Sequence, residues 1–99
     1  MNITKKAEGN ALTVALEGRL DTITSPQLDD ELDASLEGVT DLTLDFQDLT
    51  YISSAGLRVL LRAQKKMKAA SGKLRLTGVS TGILEILEIT GFAEILTIE

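Results

Sequence analysis

Between Ala11 and Glu17, Leu12, Val14 and Leu16 alternate with Ala11, Thr13, Ala15 and Glu17. That period of two predicts a strand with one buried face. The turn pair Gly9-Asn10 precedes it, so residues 2–8 are expected to fold back as the other arm of an opening hairpin. Gly18 is expected to end the run. Thr24-Ser25-Pro26-Gln27 then combines a hydroxyl able to cap, a proline in the first turn and Gln three residues after Thr24, which together announce a helix. Leu28, Leu32 and Leu36 recur every fourth residue among acidic neighbours, predicting an amphipathic helix over 26–37 with Gly38 as a left-handed stop. Leu42, Leu44 and Phe46 alternate again and predict a short strand ending near Asp45 to Asp48.

From Ala55 to Ala70 the pattern is helical. Gly56, Leu60, Ala63, Met67 and Ala70 share one stripe, widened by Leu57 and Leu61, and Arg58, Arg62, Lys65, Lys66 and Lys68 take the other face. Ser71-Gly72 ends it. Leu74 and Leu76 predict a brief strand, residues 78–82 a loop, Ile83 to Ile89 a short helix closed by Gly91, and Ile95 to Ile98 a last strand. Strands alternating with helices imply right-handed crossovers and parallel pairing, and the opening hairpin adds an antiparallel edge. The expectation is a single α/β domain over residues 1–99, with a mixed, mostly parallel β-sheet flanked by α-helices.

Composition narrows the chemistry. The chain of 99 residues has no Cys and no His, which removes disulfides, thiolate nucleophiles, Cys/His metal sites and imidazole bases. Neither a metal nor a cofactor is expected. A net charge of −5 and only three aromatic residues, Phe46, Tyr51 and Phe92, argue against nucleic acid as a partner. The start, Met1 to Lys6, passes directly into charged sequence, and nowhere do 18 apolar residues run together, so a cytoplasmic protein without membrane insertion is expected.

The stretch most informative for function runs from Asp45 to Leu57 and places Ser53 and Ser54 between a strand and the start of a strong helix. In an open α/β sheet this is where ligands and modifications gather, because helix N-termini present unpaired N–H groups there. A serine in this place is a helix cap, a phosphate acceptor, or both. A small enzyme using Asp21, Asp45 and Ser54 is disfavoured, since a serine without His or an evident Lys base lacks an activator. Asp45 is expected to accept N–H groups where its strand ends.

Three segments carry a resemblance: Gly18-Arg19-Leu20-Asp21, Leu42-Thr43-Leu44-Asp45, and above all Tyr51-Ile52-Ser53-Ser54-Ala55-Gly56-Leu57-Arg58-Val59-Leu60-Leu61. Together, and in order over essentially the whole chain, they resemble the bacterial anti-sigma factor antagonists of the STAS domain family. The resemblance implies partner switching. The unphosphorylated antagonist binds an anti-sigma factor that is also a serine kinase; phosphorylation of a Ser at the start of the second helix breaks the complex, and a serine phosphatase restores it. Aligned on Gly56, Ser54 matches the acceptor, with Ser53 second. Ser53 stands where the family usually has Asp, and Ala55 where many members have another hydroxyl. The resemblance further implies a partner-binding surface of Asp21, Ser53, Ser54, Ala55, Gly56, Leu57 and Arg58. The alternative within the family is a non-phosphorylated STAS scaffold or subunit, for example of a lipid-transport ATPase complex.

Charge is unevenly spread. Nine acids and no cation lie between Arg19 and Arg58, and five of the ten cations lie from Arg58 to Lys68. The two helices are expected either to attract one another or to be solvated; alternatively, the acidic helix joins the serine loop in one surface that steers a basic partner.

Overall fold

The computed structural model describes residues 1–99. The chain folds as β1 (Asn2–Glu8), β2 (Ala11–Leu20), α1 (Ser25–Ser35), β3 (Asp41–Ile52), α2 (Ser54–Ala69), β4 (Lys73–Thr77), α3 (Thr81–Ile89), α4 (Phe92–Ile95) and β5 (Thr97–Ile98). The five strands lie side by side in sequence order. β1 and β2 pair antiparallel as the predicted hairpin, and every later pairing is parallel. The mixed, mostly parallel sheet with its helices is the α/β architecture expected.

Alternation explains which face each strand buries. Leu12, Val14 and Leu16 of β2, Leu42, Leu44 and Phe46 of β3, and Leu74 and Leu76 of β4 point into one core. The helices close it with Leu28 and Leu32 from α1, Leu57, Leu60, Ala63 and Met67 from α2, and Ile83 and Leu87 from α3. Each Leu, Ile, Val, Phe or Met side chain among them contributes about 1.5–3 kcal/mol when fully buried. Leu36 and Val39 pack on the margin of this cluster, whereas Ala70, expected on the buried stripe of α2, is exposed. No helix is long and apolar enough to cross a membrane.

The structure corrects three element boundaries. Gly18 does not end β2; it takes a φ of +106°, a conformation open to glycine, and the strand continues to Leu20. β3 does not stop near Asp45 to Asp48 but reaches Ile52, and two β-bulges account for the misreading. Ala15 pairs with Asp45 and Leu20 with Ile52, with register shifts between Ala15 and Glu17 and between Gly18 and Arg19. β3 therefore carries one extra residue at each shift. Its buried positions after Phe46 are Leu49 and Ile52, three apart instead of two, so the alternation that signals a strand disappears. Asp45 Oδ1 accepts the Gln47 N–H at 2.9 Å at the first bulge, and the Thr50 hydroxyl donates to the Gly18 carbonyl at 2.9 Å at the second. Asp45 thus accepts a nearby N–H as expected, but inside its strand. The third correction falls at the end of the chain: Ile95 closes the single turn of α4, and the last strand is only Thr97–Ile98.

Candidate functional site

β2 and β3 run parallel, so their carboxyl ends lie together: Leu20 is opposite Ile52, and the next residues are Asp21 and Ser53. The Ser53 N–H donates to the Leu20 carbonyl at 2.9 Å, tying the start of α2 to the turn that leads into α1. These are two of the segments singled out in the sequence, and the fold joins them.

Ser53 is the N-cap of α2. Its backbone is extended and its side chain accepts the Gly56 N–H at 3.4 Å. The Leu57 N–H donates to the Ser53 carbonyl at 3.0 Å, closing the first turn. Ser54 is the first helical residue, exposed, and not the capping side chain. The sequence had left capping and acceptor roles to the same pair of hydroxyls; the structure gives the cap to Ser53 and leaves Ser54 facing outward.

The remaining residues of the motif divide by burial. Gly56 is buried where an added Cβ would lie 2.8 Å from Leu20 Cγ and 2.9 Å from Ile52 Cγ1, so helix α2 begins almost in contact with the ends of β2 and β3. Leu57 is 6% exposed in the core. In the free domain, Gly56 and Leu57 are buried and hold the helix in place. Ala55 is half-buried and Arg58 exposed.

Asp21 organises the neighbouring turn. Its Oδ1 accepts the N–H groups of Ile23 and Thr24, each at 3.0 Å. The Thr24 N–H holds the Asp21 carboxyl below its ordinary value, opposed by partial desolvation and aided by the Ile23 N–H, the Thr24 hydroxyl and Arg19. Thr24, expected as a side-chain cap, makes no such bond; its hydroxyl accepts from the Asp21 N–H at 2.9 Å and donates to the Arg19 carbonyl at 2.7 Å. Ser25 is buried and spends its own hydroxyl on the Asp21 carbonyl. The turn so braced leaves Ile23 87% exposed.

Three features here were not read from the sequence. One is the outward Ile23, a lone apolar residue in a polar turn. Another is the Arg19 guanidinium, 4.1 Å from the centroid of the Tyr51 ring. These two are register partners across β2 and β3, a pairing visible only once the second bulge is known. The last is a shallow groove of about 230 Å³ between the first turns of α1 and α2, bordered by Ser25, Asp29, Asp30, Ala55 and Val59.

The opposite signs of α1 and α2 resolve into contacts. Arg62 pairs with Asp29 and reaches Asp33 at 3.9 Å, and Lys66 pairs with Asp33. The mutual-attraction expectation describes these residues, and it removes Asp29 and Asp33 from any set of free steering charges. Asp30, on the groove, joins no ion pair. A larger cavity of about 550 Å³, bordered by Gln64, Lys68, Lys73 and Arg75, lies toward the amino end of β4 and so away from the serines.

Known proteins share this fold. A family model described as "Mlab, STAS domain" matches residues 3–97. BtrV of Bordetella bronchiseptica is 35% identical over 96 residues, covering 96% of this chain and 83% of its own. The anti-sigma-B factor antagonist of Bacillus subtilis is 30% identical over 98 residues, covering 99% and 90%. Among solved structures, the anti-sigma factor antagonist SpoIIAA in its unphosphorylated form has the same fold, with a TM-score of 0.79 at 17% identity over 99% of this chain and 87% of its own. SpoIIAA of Bacillus in its phosphorylated form gives 0.78, also at 17% identity, over 99% and 91%. The chain belongs to the STAS domain family, alongside its anti-sigma factor antagonists.

Proposed function

We propose that this chain is an anti-sigma factor antagonist that binds an anti-sigma factor with serine kinase activity, and that phosphorylation of Ser54 switches it off. The exposure of Ser54 at the first position of α2, beside a Ser53 already used as the cap, carries the reading. A kinase needs a hydroxyl that can leave the surface and enter its own site. Ser54 meets that need without a structural bond being broken, whereas Ser53 would give up the cap and is the second choice. The likeness in fold to SpoIIAA, whose structure exists in unphosphorylated and phosphorylated forms, supports phosphorylation as the switch.

The physical basis of the switch is charge at an interface. A phosphoryl group adds a charge of about −2. In the free domain the start of α2 favours that charge, since its first N–H groups carry partial positive charge, so the fold persists. Against a partner the dianion must shed water, and acidic neighbours such as Asp30 add repulsion. Phosphorylation then acts on the complex and leaves the domain folded. The kinase partner and a serine phosphatase supply the catalysis, and this chain is their substrate.

A second reading, a STAS scaffold or transporter-associated subunit without phosphorylation, rests on the site itself: Ser53 stands where the family usually has Asp, and Ala55 where many members have a hydroxyl. Incubation with ATP and the cognate kinase, followed by intact-mass measurement, separates the two. Wild type is expected to gain one phosphate and Ser54→Ala none. Phosphate on Ser54→Ala but not on Ser53→Ala would move the site to Ser53, and no phosphate on wild type would favour the scaffold.

A further inference from the structure

Ser54 and Arg58 are four positions apart on α2 and both are exposed. Residues at that spacing share a helix face, separated by about 6 Å along the axis, within reach of a long side chain. The other cations nearby are committed. Arg62 is held by Asp29 and Asp33, Lys66 by Asp33, and Arg19 lies over Tyr51 while approaching Asp21 at 3.7 Å. Arg58 joins no ion pair. The charged groups facing this end of α2 from the packed elements are Asp29 and Asp30 of α1, which border the groove with Ala55 and Val59, and Asp21 at the end of β2. Of these only Asp30 is unpaired, so a phosphate on Ser54 would meet one free acid of α1 and one uncommitted cation, Arg58, within the first two turns of its own helix.

We propose that Arg58 is the binding partner of the Ser54 phosphate, clasping it through a charge-assisted i to i+4 contact that forms only in the phosphorylated chain. The inference rests on the reading of Ser54 as the acceptor. A guanidinium fork suits phosphate oxygens better than a point charge does. The contact has two effects: it offsets the repulsion from Asp30, which lets the modified domain keep its helix start, and it withdraws from the exposed surface a cation that the unphosphorylated chain presents to its partner.

The test installs phosphoserine at position 54 during translation, so its outcome does not depend on any kinase. The second ionisation of the phosphate is followed by 31P NMR against pH at low salt. A neighbouring cation favours the dianion and lowers that pKa. The value in the wild-type background is expected to lie below that in Arg58→Gln by about half a unit, roughly a threefold difference in proton affinity. Arg58→Lys should restore part of the difference, and salt should shrink it. Superimposable titrations for wild type and Arg58→Gln would overturn the assignment of Arg58. Failure of the acceptor reading is seen separately, as phosphate on Ser53 or on neither serine in the kinase assay.

Discussion

Replacing Gly56 with alanine tests how tightly the start of α2 is set against the sheet. The new Cβ would lie 2.8 Å and 3.0 Å from Leu20 Cγ and Cδ2 and 2.9 Å from Ile52 Cγ1, whereas carbon atoms rest about 3.5–4.0 Å apart. Neither neighbour has room to retreat, since Leu20 is fully buried and Ile52 is 2% exposed. Overpacking of this kind costs about 1–3 kcal/mol. Alanine returns at most about 1 kcal/mol through its helix preference, and less in a first turn. The net expectation for Gly56→Ala is a loss of about 1–2 kcal/mol. Urea unfolding followed by circular dichroism should show the midpoint falling by roughly 0.5–1 M with an unchanged slope, and the thermal midpoint should fall by about 4–8 °C for each kcal/mol. Backbone amide shifts of Ser53 and Ser54 should move, because the helix start is what must give. A variant as stable as wild type, or more so, would refute the argument that glycine is needed to let α2 approach.

Other perturbations address the site more gently. Ser53→Ala should cost about 0.5–1 kcal/mol, at the low end because the capping bond is long at 3.4 Å; a thermal-unfolding loss above about 2 kcal/mol would mean the hydroxyl does more than cap. Asp21→Asn keeps an oxygen for the Ile23 and Thr24 N–H groups but removes the charge. Because the folded carboxyl titrates below its ordinary value, its contribution is complete above the unfolded pKa and is lost as pH falls through the folded one. The stability gap between wild type and Asp21→Asn should therefore be constant near neutrality and close in the acid range; a gap that widens on acidification would contradict the assignment. A double-mutant cycle on Asp33 and Lys66 should return about 0.5 kcal/mol, falling with salt, because both side chains are at least one-third exposed.

The residue pattern made the sheet's connectivity legible because most strands alternate regularly and most helices carry an apolar stripe. Alternation failed at Phe46, Leu49 and Ile52, since each bulge replaces a step of two by a step of three, and no local signal in Gln47 or Thr50 marks them. The short α4 was hidden for another reason: Ile95 to Ile98 is apolar enough for a strand, and only tertiary packing divides it. At the site, the motif from Ser53 to Leu57 and the position of Asp21 could be read directly. Which serine caps could not, because the answer turns on where β3 ends, within a single residue. The partition of charge between α1 and α2 was plain in composition, but its pairing needed the two helices side by side, with Arg62 and Lys66 facing Asp29 and Asp33.

The two bulges in β3 act as slack in the chain. Each takes up one residue where it occurs, and the side chains beyond it keep their facing, so Phe46, Leu49 and Ile52 all reach the core although they stand three apart. Ile52 still points inward opposite Leu20 to meet Gly56, and α2 starts with Ser54 exposed. Loss of the one extra residue at either bulge would restore a step of two on that side and leave the end of β3 opposite the end of β2. Each bulge is thus a place where the length of this strand can change by one residue without carrying the serine pair to the other face of the sheet.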